Sequence, residues 1–265
     1  MITILIVIAI FYIFSLKGRT GHPGLQKLQG WAYAHRGLHG NGVPENSMTA
    51  FRKALESGYG IELDVHLLAD GNLAVIHDSA LVRTTGAQGK IEDLTTEQLS
   101  EYKLEGTDET IPTFRQVLDL YDGKAPLIVE MKSANGNHGK LTDAVCKMLS
   151  EYNGAYCIES FDPRCVSWLR KYHPEVVRGQ LSENFFKSNS TMHWILKLVM
   201  SIQSINLIAR PDFVAYRFAD RKNLSVFLCR KLWKLQGVTW TLRSKEDYDA
   251  AVQENWLPIF EGFEP

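Results

Sequence analysis

The chain has 265 residues, 45% hydrophobic and 22% charged, enough for one large globular domain or two small ones. Its net charge of -1 lacks the basic surplus of a nucleic-acid binder. Cys146, Cys157, Cys165 and Cys229 form no CxxC pair, which argues against a zinc site or disulfide framework and leaves packed free thiols.

The first run, MITILIVIAIFYIFSL at residues 1–16, has no charged side chain and is followed by Lys17 and Arg19. A buried core helix would show a polar stripe, and a cleaved signal peptide would begin with basic residues and end in a small-residue cleavage site. Neither pattern is present. The run reads as a single uncleaved transmembrane anchor, a little short of the ~20 residues usually needed, with the cations after it placing the rest of the chain in the cytoplasm. The Gly- and Pro-bearing residues 17–30 read as a linker to a domain over 31–265.

From Trp31 onward, short apolar runs alternate with longer helix-like stretches. Strands are predicted at 31–35, 61–65, 73–77, 127–131, 155–160, 176–181, 212–216 and 238–242, with helices over Ser47–Ser57, Thr113–Tyr121 and Leu141–Glu151 among those between them. Repeated βα units over this length favour a parallel α/β barrel over an open sheet. Between Val65 and Leu73 there is no room for a crossover helix, and the Asp-Gly in LLADGN is a hairpin signal. Pairing Leu68 with Leu73 would set Asp64 opposite His77 and gather Glu62, Asp64 and His77 on one face. Two inward carboxylates repel unless a cation sits between them, and oxygen ligands suit Mg²⁺ or Ca²⁺. A solvated edge hairpin fits the stretch equally well.

Two more elements bear on that choice. His35, Arg36 and Gly37 stand at the C-terminal end of the first strand, where barrel enzymes hold their chemistry. In LIVEMKS, Glu130 and Lys132 face one side, and each needs a partner to be buried there, such as a metal for Glu130 and a phosphate for Lys132.

These motifs resemble the glycerophosphodiester phosphodiesterases. The likeness covers nearly all of the chain after residue 30 and rests on AHRG with PENSMTAF, IELDVHLLADGNLAVIHD, ALVRTTGAQGKIEDLTTEQL, IPTF, VEMK, ESFD and TWTL. It implies a TIM barrel with a small insertion at about 79–112, after the His77 strand. It also implies divalent-dependent hydrolysis of glycerophosphodiesters to glycerol 3-phosphate and an alcohol. By motif, His35 and His77 resemble the two catalytic histidines, and Glu62, Asp64 and Glu130 the metal carboxylates. Arg36 and Lys132 look like phosphate contacts, Trp240 like a wall for glycerol or leaving group, and Glu45 and Asn46 like supporting residues near the metal. One histidine would take the nucleophile's proton and the other give one to the leaving alkoxide. His39 and His66 are expected to line the pocket, and His22, His138, His173 and His193 to be ordinary core or surface residues.

Where the family closes with an Ile-Thr-Asp-x-Pro-like strand, this chain ends NWLPIFEGFEP, with Glu261 or Glu264 in the vicinity. Two other readings stand beside hydrolysis of soluble diesters: a lysophospholipase D acting on single-chain lipids at the membrane, and a non-catalytic membrane-anchored binding domain. The segment 184–210, with Phe185, Phe186 and Trp194, is predicted to stay partly exposed near the pocket mouth and touch the bilayer.

Overall fold

The structure, a computed structural model, describes residues 1–265. Strand alternation builds it. On β2 (Gly60–Leu67), Ile61, Leu63 and Val65 point outward into a layer shared with helices, while Glu62 and Asp64 point the other way. The same alternation recurs on β1 (Tyr33–His35), β4 (Leu127–Met131), β5 (Tyr156–Ser160), β6 (Arg178–Ser182) and β7 (Phe213–Arg217). Together with β8 (Gln236–Leu242) and β9 (Trp256–Phe260), these eight parallel strands run in the order β1-β9-β8-β7-β6-β5-β4-β2, and β1–β2 pairing closes the barrel. Tyr33, Ile128, Cys157, Phe213, Val238 and Ile259 help fill its interior. Gly179 makes room there, because a Cβ would lie 2.0 Å from the Phe213 ring.

The helices cover the outside. They include α2 (Met48–Glu56), α4 (Phe114–Tyr121), α5 (His138–Leu149), α6 (Pro163–Tyr172), α9 (Leu224–Lys231) and α10 (Lys245–Gln253). Ser47 caps α2, and Thr113 with Gln116 forms a capping box on α4, so both begin where the polar-to-apolar switch predicts. The insertion after His77, which includes α3 (Val82–Thr85), has its own small core of residues such as Ile76, Leu81, Ile91 and Leu99.

Four expectations are corrected. β3 (Leu73–Val75) does pair antiparallel with β2, but in the register Leu67↔Leu73 and Val65↔Val75. The turn is one residue longer than predicted, closed by Leu68 N–H donating to Asn72 O, so Asp64 meets Ile76 rather than His77. The last barrel strand, β9, lies in the segment that had no strand assignment, with Pro258 inside it, paired beside Thr239. The expected transmembrane helix is α1 (Ile2–Ser15), of 14 residues and about 21 Å, against a hydrocarbon core of ~30 Å. No helix is long and apolar enough to cross a membrane. The apolar run ends inside the protein, with Leu16 buried among Val214, Cys229 and Leu235. Residues 17–30 are not a free tether: Arg19 pairs with Asp212 at 2.5 Å, and Leu28 is fully buried below the barrel interior.

Candidate active site

Strand register brings the acidic groups together. Asp64 on β2 lies beside Glu130 on β4, and Glu130 beside Glu159 on β5; Glu62 lies beside His35 on β1. All four carboxylates are buried. Oxygens of Glu62, Asp64 and Glu130 lie within 4.8 Å of one another. Lys132 Nζ reaches Glu130 Oε1 at 2.6 Å and Asp64 Oδ1 at 3.0 Å. Asn46 Nδ2 donates to Asp64 Oδ2 at 2.8 Å, and Arg36 Nη1 donates to Glu45 Oε1 at 2.9 Å. The Arg36–Gly37 turn is tight. Both residues have positive φ, and a Cβ on Gly37 would lie 2.7 Å from the backbone of Ala50, so only glycine fits.

These groups share a cavity of about 530 Å³ at the C-terminal end of the barrel, lined by His35, Arg36, Glu62, His77, Glu130 and Lys132 among others. Trp240 forms part of its wall, edge-on to Phe161 at 5.5 Å between ring centres. His77 comes in from the loop just after β3. Every predicted site residue is therefore in or against one pocket, with Glu45 and Asn46 behind Arg36 and Asp64.

Each pocket histidine is held by a carboxylate. Glu261 Oε2 lies 2.5 Å from His35 Nδ1, and Asp78 Oδ1 lies 2.6 Å from His77 Nδ1. A carboxylate only accepts, so Nδ1 carries the proton in both rings and Nε2 is left with a lone pair. Arg83 bonds both Asp78 and Glu45, tying the insertion to this shell. Of these residues, Glu261 was left undecided from sequence, while Asp78, Arg83 and Glu159 were missed. Asp78 adjoins a predicted histidine, and Glu159 has the strand parity of Cys157, which faces the barrel interior. His66, expected to line the pocket, is instead buried under the insertion, where Nδ1 meets Glu92 at 2.7 Å. His39 Nδ1 or Nε2 falls in a separate cluster with His35 and Glu261 near the rim.

Burial dominates the electrostatics. It pushes Glu62 well up, helped by the Asp64 and Glu130 charges, and pushes Glu159 well up, helped by Glu130. Glu130 also rises through burial, with Lys132 pulling back. Burial would raise Asp64 as well, but Lys132, His77 and Arg36 outweigh it and hold this carboxyl below its ordinary value. Burial lowers His35 against the pull of Glu261, and lowers His77 to about 4. Glu261 stays ionised, brought down to about 2 against burial by its bond to His35 and by Arg243.

The donor set fits a hard divalent cation. Its ligand atoms are all oxygens, gathered at one point, and some lack protein partners. Within that set, Asp64 Oδ1 is buried with the Lys132 ammonium at 3.0 Å but outside hydrogen-bonding geometry, while Glu159 Oε2, next to the set, is buried without a hydrogen bond.

Comparison with known proteins identifies the family of the chain. The model of the glycerophosphoryl diester phosphodiesterase family matches residues 35–256. A glycerophosphodiester phosphodiesterase of Caldanaerobacter subterraneus subsp. tengcongensis is 33% identical over 83% of this chain and 88% of its own length. Among solved structures, a Thermotoga maritima glycerophosphodiester phosphodiesterase is 26% identical with a TM-score of 0.67, covering 86% of this chain and 93% of that one. An Oleispira antarctica phosphodiesterase, solved in complex with the product sn-glycerol-3-phosphate, shares the fold at 19% identity and a TM-score of 0.74, covering 92% and 95%. The protein is thus an enzyme, and the reading as a non-catalytic domain falls away. The chain belongs to the glycerophosphoryl diester phosphodiesterase family.

Proposed function

We propose that the protein hydrolyses glycerophosphodiesters to glycerol 3-phosphate and an alcohol, using Mg²⁺ or Ca²⁺. One observation carries this reading: two carboxylate-held histidines, His35 and His77, line the same cavity as three convergent buried carboxylates and a lysine. Glu62, Asp64 and Glu130 would hold the cation, which when bound neutralises phosphoryl charge and favours attack at phosphorus. Arg36 and Lys132 add positive charge for the phosphate oxygens, and Trp240 with Phe161 gives an apolar wall for the glycerol or leaving group. With Nδ1 fixed by Glu261 and Asp78, each ring turns Nε2 to the work: one neutral ring takes the nucleophile's proton at Nε2, and the other, acting as the acid in its doubly protonated form, gives its Nε2 proton to the departing oxygen. The known product of the Oleispira relative supports cleavage on the alcohol side of the phosphate.

A second reading, release of the headgroup alcohol from single-chain lysolipids, is favoured by the exposed apolar side chains Phe186 and Trp194 beyond β6, whose next residue, Glu183, lines the cavity. The deciding experiment gives the purified full chain glycerophosphocholine, glycerophosphoinositol and lysophosphatidylcholine, each with Mg²⁺, with Ca²⁺ and with EDTA. Cation-dependent release of glycerol 3-phosphate from a soluble diester is expected. Turnover in EDTA at the same rate, or none on any diester, would overturn the proposal.

A further inference from the structure

One large surface takes no part in the chemistry above. Every large apolar side chain from Ile2 to Phe11 on α1, and Phe14 after them, is half exposed or more. At about 100° per residue these side chains go round the whole helix, with no gap wider than about 60°. A protein partner, or a second copy of this chain, would cover a single stripe of such a helix. Only a medium that is apolar on all sides covers the full circumference, and the hydrocarbon of a lipid layer is such a medium.

The direction of α1 ties this surface to the pocket. Tyr12 Oη donates to Ile202 O at 3.3 Å. Ile202 follows α7 (Trp194–Ser201), where the Ser201 carbonyl accepts from Tyr216 and its hydroxyl accepts from Phe185 N. That place is beyond the C-terminal ends of β6 and β7. Four residues further on, Leu16 packs with Leu235, ahead of β8, and Arg19 pairs with Asp212, ahead of β7. The helix therefore descends from the catalytic end of the barrel as it enters the body, and its free part lies on the catalytic side of that entry point. Phe186, Trp194, Ile195 and Leu198, all exposed, lie on the same side, and α9 adds Leu224 and Phe227. Phe185, expected to be exposed with them, is instead buried against Phe161 and Met200. Charge is complementary to lipid phosphates: residues 1–44 and 184–210 hold no carboxylate, and the second stretch carries Lys187, Lys197 and Arg210.

We propose that α1 and the outer side of α7 dock the protein on a lipid bilayer, with α1 entering one leaflet without crossing it and the catalytic mouth turned toward the membrane. The eleven residues above Tyr12 extend about 16 Å, close to half of a ~30 Å hydrocarbon core. Phe186 and Trp194 then rest at the headgroup level, where aromatic side chains are favoured.

The test is flotation of the full chain with phosphatidylcholine vesicles. It is repeated for the double variants Ile6→Glu with Ile8→Glu, on opposite sides of α1, and Trp194→Ser with Ile195→Ser. None of these residues belongs to the catalytic site, so melting temperature and turnover of a soluble diester should match the parent chain and certify the fold. The wild-type chain should float, and each variant should partition at least about tenfold less, because each removes apolar area from lipid. A wild-type chain that stays at the bottom of the gradient overturns the proposal, as does an α1 variant that floats equally well. So does a stable dimer in buffer that ignores vesicles. Equal flotation of the Trp194 variant removes α7 from the docking face. Flotation does not depend on turnover, so its failure is distinct from failure of the proposed hydrolysis.

Discussion

Replacing Glu261 with glutamine isolates what the carboxylate does for His35. The two are 2.5 Å apart, and Glu261 also lies 3.1 Å from the Arg243 guanidinium, so an ionised oxygen faces the Nδ1 proton. A hydrogen bond to a charged group contributes ~1.5–3 kcal/mol, against ~0.5–1.5 for a neutral one. Losing the charge but not the shape should therefore cost about 1–2 kcal/mol, or roughly 5- to 30-fold in kcat. If the amide turns its NH₂ toward Nδ1, the ring must present the wrong tautomer, and the loss grows toward the ~10²–10⁴ of a missing acid–base group. Because Glu261 raises His35 against burial, its removal should also move the His35 limb of the kcat profile to lower pH. Steady-state kinetics from pH 5 to 9 on a soluble diester would read both effects. An unchanged KM with the expected kcat loss identifies Glu261 as a positioning residue. A kcat within twofold of the parent and an unmoved profile would refute the reasoning and leave Glu261 as a surface partner of Arg243.

His35→Ala and His77→Ala should each lower kcat by ~10²–10⁴ while cation binding, followed by calorimetry, stays near the parent value; a variant with near-normal kcat removes that histidine from the mechanism. Alanine at Glu62, Asp64 or Glu130 should weaken divalent-cation affinity more than substrate KM at saturating cation, and equal losses in both would separate these carboxylates from the metal. Glu159→Gln should raise thermal stability in EDTA at pH 8. The folded-state pKa of Glu159 is raised, so its stabilising contribution is present below the ordinary carboxylate value and lost as pH rises. The advantage of the amide should therefore shrink, by up to about 1.4 kcal/mol per pH unit, as pH falls from 8 to 5. Melts showing no advantage at pH 8 would contradict the assignment of Glu159 as a carboxyl that is costly to ionise.

Much of the site was legible because period-two alternation is strict. Alternation put Glu62 and Asp64 on one face of their strand and Glu130 with Lys132 on one face of theirs, and the likeness to the family joined the two strands into one site. What failed was whatever depends on pairing between segments. The LLADGN turn holds one residue more than its Asp-Gly suggests, and a one-residue slip changes which side chain meets Asp64. His77 still reaches the cavity because it lies past the strand, where register no longer binds it. β9 was hidden by Pro258, which lacks the ladder N–H that a central strand normally uses. Glu159 sits in a strand that was predicted correctly, but its meaning comes only from lying beside Glu130. For α1, hydropathy identified the apolar run and its end at Leu16 but not that this end packs inside the protein, where the Asn206 amide and Cys229 thiol bond the Leu16 carbonyl.

Glu159 also changes the charge of the pocket. Among the groups nearest the cation, leaving aside Glu183, Arg217, Arg221, Arg243 and Asp247 elsewhere in the cavity lining, Glu62, Asp64, Glu130 and Glu159 all ionised with Lys132 and Arg36 sum to -2, and a divalent cation would only bring that cluster to zero. A monoanionic diester would gain little from entering such a pocket. Burial and the Glu130 charge both disfavour an ionised Glu159, and no hydrogen bond to Oε2 offsets them. With Glu159 neutral, and with Glu62, which burial also raises, kept ionised by the cation it would hold, three carboxylates, two basic side chains and the cation sum to +1 in this inner cluster, a field that draws the diester in. The fourth carboxyl then acts through its proton. It fills a polar position next to Glu130 without adding charge, and the same burial that makes it costly to ionise keeps the pocket attractive to phosphate.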